Sequence, residues 1–306
     1  MNAIDALLSG LVDYAGLFPP ASEDMRTALE NYASYHGGHD RSALGRFIVP
    51  ASRLKELEDT GRGLMPRGPG SEPWRLSVLV AEDVRAAGEE MLRFNSRHSA
   101  GSKEGHAVID VAELKTSSID EIGRRRSELP PGITPYFEIP IRGDVSPLVK
   151  AIARAGARAK VRTGGVTPES IPRAQEIIEF IAACRREAVA FKATAGLHHP
   201  IRGAYKLTYE RDSPVGTMYG FVNVFVASVL IYQGESEGTA IAALEESDRN
   251  AFAFQDDAIF WRDKCITTEE IETSRQNFAI SFGSCSFREP IDELTSLTHT
   301  PRVGYQ

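Results

Sequence analysis

Cysteine is scarce: Cys184, Cys265 and Cys285 are the three in the chain, and they stand far apart with no C-x-x-C pair. A chain of 306 residues buries enough surface to hold together without a disulfide or a structural metal. Free thiols in a cytoplasmic protein are therefore the expectation. Lys and Arg are missing from the first 25 residues, so neither a signal peptide nor an Arg-rich transit peptide is expected. Long apolar runs are missing too. The longest, Phe221 to Tyr232, is interrupted by Asn223 and is too short to span a bilayer. Positive charge is in deficit, with 35 Lys and Arg against 42 Asp and Glu for a net charge of -7. That balance argues against a general nucleic-acid or membrane partner, while a local basic pocket stays compatible with it. No G-x-G-x-x-G follows any strand-like run, which disfavours a dinucleotide-binding sheet.

What the chain does contain is alternation. Strand-like runs recur at Val12–Phe18, Phe47–Pro50, Leu76–Val80, Ala107–Val111, Pro135–Ile139, Ala157–Arg162, Val189–Thr194 and Phe278–Phe282. Helical patterns lie between them at Ser22–Tyr35, Asp83–Phe94, Ser118–Arg126, Ser146–Arg154, Pro172–Arg186 and Thr268–Arg275. In Pro172–Arg186 the residues Ala174, Ile177, Ile178 and Ile181 form one apolar stripe at helical spacing. Eight strands alternating with helices predict an α/β fold, a single (β/α)8 TIM-barrel domain over residues 1–306. Gly61–Pro73 reads as a surface loop. Between strands seven and eight, residues 200–276 exceed what one crossover needs. They predict an insertion with helices at Tyr219–Tyr232 and Gly238–Ser247, set over the barrel mouth or at an oligomer contact. Tyr219–Tyr232, apolar on most faces, would pack in the core or at a homo-oligomer interface.

Alternate strand residues face the lumen and the helices, and the helix-facing set must be apolar. In Ala157–Arg162 the apolar set is Ala157, Ala159 and Val161, which turns Arg158, Lys160 and Arg162 inward. The same parity turns Lys192 and Thr194 inward, together with Asp110 and Glu138. The predicted lumen thus gathers cations and carboxylates toward the C-terminal strand ends, where barrel enzymes keep their active sites. Two ammonium groups on neighbouring strands are an arrangement that keeps one lysine partly neutral and nucleophilic, as imine formation requires. A nearby carboxylate must then relay protons, and Asp110 has the right chemistry. A buried structural ion-pair network among Lys160, Lys192, Asp110 and Glu138 is the bland alternative.

The stretch KVRTGGVTPESIPRAQEIIEFIAACRREAVAFKATAGL, Lys160 to Leu197, resembles the corresponding region of deoxyribose-phosphate aldolases, class I aldolases that read K-T-S-T-G and then F-K-x-A-G-G. VIDVAELK (Val108–Lys115) resembles their V-D-V-V strand, FGSCS (Phe282–Ser286) their F-G-A-S-S phosphate loop, and Asp13 in VDYAGLF their first-strand Asp. The resemblance implies a barrel in which Lys160 forms the Schiff base, Lys192 tunes it and Asp110 shuttles protons. It also implies that Thr163, Gly164, Gly196, Gly283, Ser284 and Ser286 surround a phosphate or equivalent anion. Arg162 stands where the family has a small hydroxyl residue. Ala195–Gly196 replaces its Gly-Gly, Cys285 replaces the first Ser of its pair, and LHHPIRG follows Gly196.

His198 and His199 follow strand seven directly. On extended backbone they point to opposite sides, so one at most faces the substrate easily. Acid–base work, substrate contact, metal ligation and a structural role are their open readings. Cys285 reads as a packed thiol, because no partner base is visible beside it. The expected function is a Schiff-base lyase, making or cleaving a C–C bond next to a carbonyl in a small anionic substrate, with no cofactor and no metal. One alternative is a metal-assisted lyase or hydrolase using Asp110, Glu138 and His198 or His199. Another is a non-catalytic barrel that binds an anion.

Overall fold

A computed structural model describes residues 2 to 299. Eight parallel strands close a barrel: β1 (Val12–Tyr14), β2 (Leu44–Pro50), β3 (Trp74–Val80), β4 (Ala107–Lys115), β5 (Thr134–Glu138), β6 (Arg158–Arg162), β7 (Phe191–Thr194) and, after five strands outside it, β13 (Ala279–Ser284). β13 pairs with both β7 and β1 and seals the ring. The chain is a (β/α)8 TIM barrel, a fold that commonly carries enzymes. Among the described residues no helix is long and apolar enough to cross a membrane.

Helices α1 (Ala3–Leu8), α2 (Met25–Gly37), α3 (Leu54–Gly61), α4 (Val84–Arg97), α5 (Ile119–Glu128), α6 (Ser146–Arg154) and α7 (Ala174–Arg186) accompany the first seven strands. Local chemistry starts several of them. Asp24, Asp83 and Ser118 each accept a hydrogen bond from a first-turn N–H of α2, α4 and α5, satisfying a donor with no intrahelical partner. In α7 the stripe of Ala174, Ile177, Ile178 and Ile181 is buried as its spacing predicts.

Residues 200–276 are not one inserted body. The hairpin β8 (Gly203–Lys206) and β9 (Val215–Met218) folds over the open end of the barrel. α8 (Phe221–Tyr232) belongs to the outer ring: Phe221 stacks on Phe282 of β13 at 5.3 Å, and Phe221 to Ile231 are all buried. A helix apolar on all faces needs cover on all faces, and α9 (Glu237–Leu244) supplies it from outside. Asn223, one of two polar residues in that run, donates to Ala243 O and Glu246 O at 2.8 and 2.9 Å and accepts from Arg202 N–H at 2.9 Å. It joins α8 to α9 and to the hairpin.

The small antiparallel sheet of β10 (Phe252–Phe254), β11 (Ala258–Trp261) and β12 (Lys264–Thr267) then leads into α10 (Thr268–Asn277), and α11 (Arg288–His299) follows β13. The hairpin and this sheet escape periodicity reading because strands of three or four residues carry too few alternations. β1 also stops at Tyr14, short of the expected Phe18, because the chain turns there and Phe18 N–H bonds Ala15 O at 2.9 Å.

Candidate active site

Five ionised side chains meet inside the barrel, each supplied by a different strand. Lys192 on β7 donates to Asp13 Oδ2 and to Glu113 Oε1, both at 2.6 Å. Lys160 on β6 lies 2.7 Å from Glu113 Oε2 and 2.8 Å from Glu138 Oε2. Glu113 on β4 therefore bridges the two ammonium groups, and it also accepts from Ser77 Oγ at 2.6 Å. Asp13 takes further hydrogen bonds from Ser281 Oγ at 2.9 Å and from Arg46 N–H at 2.7 Å. Lys160 and Lys192 face each other across adjacent strands, in register as the parity reading requires.

The two lysines are held differently. Lys192 is 1% exposed and directs hydrogen bonds at both of its carboxylates. Lys160 is held as closely by Glu113 and Glu138 but also lines the cavity above the network, which Lys192 does not reach. Burial pushes the Lys192 amine toward neutrality, but the Asp13 and Glu113 charges outweigh it and hold its pKa above the ordinary value. Burial pushes the Glu113 carboxyl up, and the Lys160 and Lys192 charges reverse this, holding it well below the usual carboxylate range. A carboxylate thus sits between the two cations, as in the ion-pair network read from the sequence, but it is Glu113 and not Asp110.

Asp110, expected beside Lys160, is elsewhere. Its carboxylate is gripped by Arg46 at 2.6 and 2.8 Å, with Arg75 closing on it from β3. Burial raises its pKa, but the two guanidinium groups lower it further, to a net depression. The cause of the misplacement is a bulge. β3 pairs Leu76 with Ile109 but Ser77 with Val111, so Asp110 is the unpaired extra residue. A bulge reverses the alternation beyond it, which turns Glu113, not Ala112 or Leu114, to the lumen. Glu113 was missed for that reason. The available signal was its three-residue offset from Asp110, which no regular strand can accommodate with both residues on one face.

A cavity of about 270 Å3 opens above the network. Glu113 and Lys160 form its floor, Arg162, Thr194, His198 and Cys285 reach it, and Phe18, Ile48, Leu79, Leu207 and Met218 supply apolar wall. Arg162 is exposed at the rim, and its guanidinium makes no hydrogen bond or ion pair among the described residues. Backbone at Ala195 and Gly196 lines one side in left-handed conformation, with φ of 65° and 75°. Gly164 and Gly196 owe their lack of a side chain to mutual approach: a Cβ on Gly164 would lie 3.0 Å from Gly196 Cα. Gly283 lines the cavity, and its Cβ would lie 3.0 Å from Thr194 Oγ1.

Other expected contacts serve the scaffold. Thr163 donates to Ala195 O at 2.7 Å. Ser284 Oγ accepts from Ser286 N–H at 3.3 Å, and Ser286 Oγ accepts from Glu289 N–H at 3.1 Å at the start of α11. The two histidines do not point to opposite sides as expected on extended backbone: the chain bends at His199, and both rings face α11, 6.4 Å apart. His198 reaches the cavity and bonds Glu289 at 3.0 Å, while His199 bonds Glu293 at 2.9 Å and stacks on Tyr205 at 3.5 Å. Burial pushes the Cys285 thiol up, which disfavours the thiolate. Asp110, Glu138, His198 and His199 each have separate partners, and among the described residues no three of His, Cys, Asp and Glu are disposed to hold a metal ion. No protein-family model, curated protein or solved structure matches the chain.

Proposed function

We propose that the protein is a Schiff-base lyase acting on a small carbonyl compound, with Lys160 as the amine that forms the imine. The observation that carries this reading is the contrast between the lysines: Lys160 lines the cavity, whereas Lys192 is locked beneath it by Asp13 and Glu113. Lys160 gives a proton to Glu138, and its lone pair then attacks the carbonyl carbon. The C=O electron pair moves to oxygen, which takes one proton from the attacking nitrogen and a second back from Glu138. Loss of that oxygen as water leaves the imine, whose protonated form draws in the electron pair of the adjacent C–C bond as it breaks. The hydroxyl proton released in cleavage passes to a carboxylate, and Glu113 reaches the cavity for that role. The enamine left on Lys160 takes a proton on carbon, and water hydrolyses the resulting imine to free the product and the lysine. Glu113 replaces Asp110 in this scheme.

A second reading has its own support. Lys160 stands in contact with two carboxylates, Glu113 and Glu138, and Lys192 with Asp13 and Glu113. Lys160 would then act as a charged donor to an enolate oxygen, with a carboxylate as base and no covalent step.

Borohydride reduction in the presence of a panel of aldehydes and keto acids, read by intact and peptide mass, separates the two. The expected result is one reduced adduct on Lys160, absent from Lys160→Ala. An adduct on Lys192 would reverse the assigned roles. No adduct from any carbonyl, in folded protein, overturns the imine reading.

A further inference from the structure

We infer that the substrate is a carbonyl compound with an apolar body and a carboxylate at its far end, rather than a polyhydroxylated sugar phosphate. The inference rests on the imine reading above and goes beyond it by assigning the shape and chemistry of the rest of the molecule. Above the floor the cavity wall is hydrocarbon: Phe18, Ile48 and Leu79 on one side, Leu207 and Met218 descending from the β8–β9 hairpin. Leu207 and Met218 are each 3% exposed, so the hairpin presents packed hydrocarbon to the space. Few polar side chains remain to read a substrate. Glu113 and Lys160 are engaged in the reaction, and His198 is held by Glu289 at 3.0 Å. Thr194 offers one hydroxyl. A chain bearing several hydroxyl groups would bury them without partners, which costs affinity for each. A methylene chain or ring gains from the same walls.

The charged end is assigned by Arg162. It lies two positions beyond Lys160 on the same face of β6, at the rim of the same cavity, and no described carboxylate neutralises it. Residues two apart on a strand are separated by about 6.6 Å, so a body of about five carbons carries a carboxylate from an imine at Lys160 to the reach of the Arg162 guanidinium. A planar, singly charged carboxylate matches one guanidinium fork. Of the other groups that the family resemblance would place around a phosphate, Thr163, Ser284 and Ser286 have their hydroxyls turned to backbone partners of their own.

The test compares three carbonyl probes in the full-length protein: 6-oxohexanoate, hexanal and glyceraldehyde 3-phosphate, each trapped with borohydride over a concentration series. The expected order is half-maximal Lys160 trapping by 6-oxohexanoate at a concentration at least about tenfold below that for either other probe. In Arg162→Leu the gap between 6-oxohexanoate and hexanal should shrink to about twofold or less. Glyceraldehyde 3-phosphate trapping at the lowest concentration overturns the inference and leaves the imine reading standing. If no probe gives an adduct, the imine reading fails, and calorimetry with hexanoate against glycerol 3-phosphate decides the cavity's preference without covalent chemistry. Tighter hexanoate binding supports the inference. Tighter glycerol 3-phosphate binding, or binding of neither, overturns it.

Discussion

Lys160 and Lys192 stand on adjacent strands and share one carboxylate, yet removing them should have unequal costs. Lys192→Met takes the single ammonium from Asp13 and one of two from Glu113, both almost fully buried. Stranding a buried charge in this way costs about 3–5 kcal/mol. Lys160→Met leaves Glu113 bonded to Lys192 and Ser77, and strands only Glu138, which lies nearer the open end. The expected outcome by urea unfolding is that Lys192→Met loses at least about 1 kcal/mol more stability than Lys160→Met, while Lys160→Met alone abolishes imine trapping. Equal losses would mean that the two lysines are held alike. Parity along a strand made both lysines and Glu138 legible in the sequence, because Ala157, Ala159, Val161, Phe191 and Ala193 mark the opposite face. The same rule chose Asp110 over Glu113, since a bulge depends on how a neighbouring strand pairs and leaves no periodic trace in its own strand. The resemblance to the aldolase V-D-V-V strand pointed to Asp110 as well, which the structure places against Arg46 and Arg75 and not beside Lys160.

Among the elements, α10 holds a residue that ties several others together. Arg275 is 6% exposed and donates to Leu7 O at 2.9 Å, Ser9 O at 2.9 Å and Ala279 O at 2.6 Å, with Ile280 O also in contact. Its guanidinium lies 5.0 Å from the Phe225 ring of α8. One side chain thus satisfies carbonyls at the end of α1 and the start of β13, on either side of the seam where β13 closes on β1. Arg275→Met fills the space but leaves those carbonyls short of donors, at about 1–3 kcal/mol for each group left unpaired. The expected loss is at least about 3 kcal/mol in a urea titration. A loss near zero would show that water reaches the seam and replaces the guanidinium. This function was not legible in the sequence, where Arg275 closes an ordinary amphipathic helix and reads as a last-turn cation. Helices such as α4 and α7 were legible from an apolar stripe at helical spacing, and α8 from its near-continuous apolar run, while α1, α3 and α11 were not read from the sequence. The hairpin over the cavity was not, since its two four-residue strands carry alternately exposed and half-exposed residues with only Met218 buried.

For the molecule as a whole, the barrel's interior charges link its stability to pH at both ends of the scale. Glu113 has a folded pKa well below the 4.5 of a free glutamate. The unfolded chain therefore binds a proton at higher pH than the folded one does. The stabilisation is complete above the unfolded pKa and is lost as pH falls below it toward the folded value. Lys192 has the opposite sign. Its folded pKa is raised above the ordinary 10.5, so its contribution is complete below that value and fades only as pH rises through the folded pKa. Between these limits both groups are charged in the folded and unfolded chain alike, and the network's contribution does not change with pH. A comparison with Glu113→Gln isolates the acid limb from the many surface carboxylates. Near neutral pH the variant should unfold at lower urea than the parent, because a neutral amide faces two ammonium groups. As the pH drops from about 5 to 3, the parent loses what the variant never had, and the gap between the two midpoints should narrow. A gap that holds constant through that range would mean that Glu113 keeps an ordinary pKa in the folded barrel. The bridge between the lysines would then be no more than proximity.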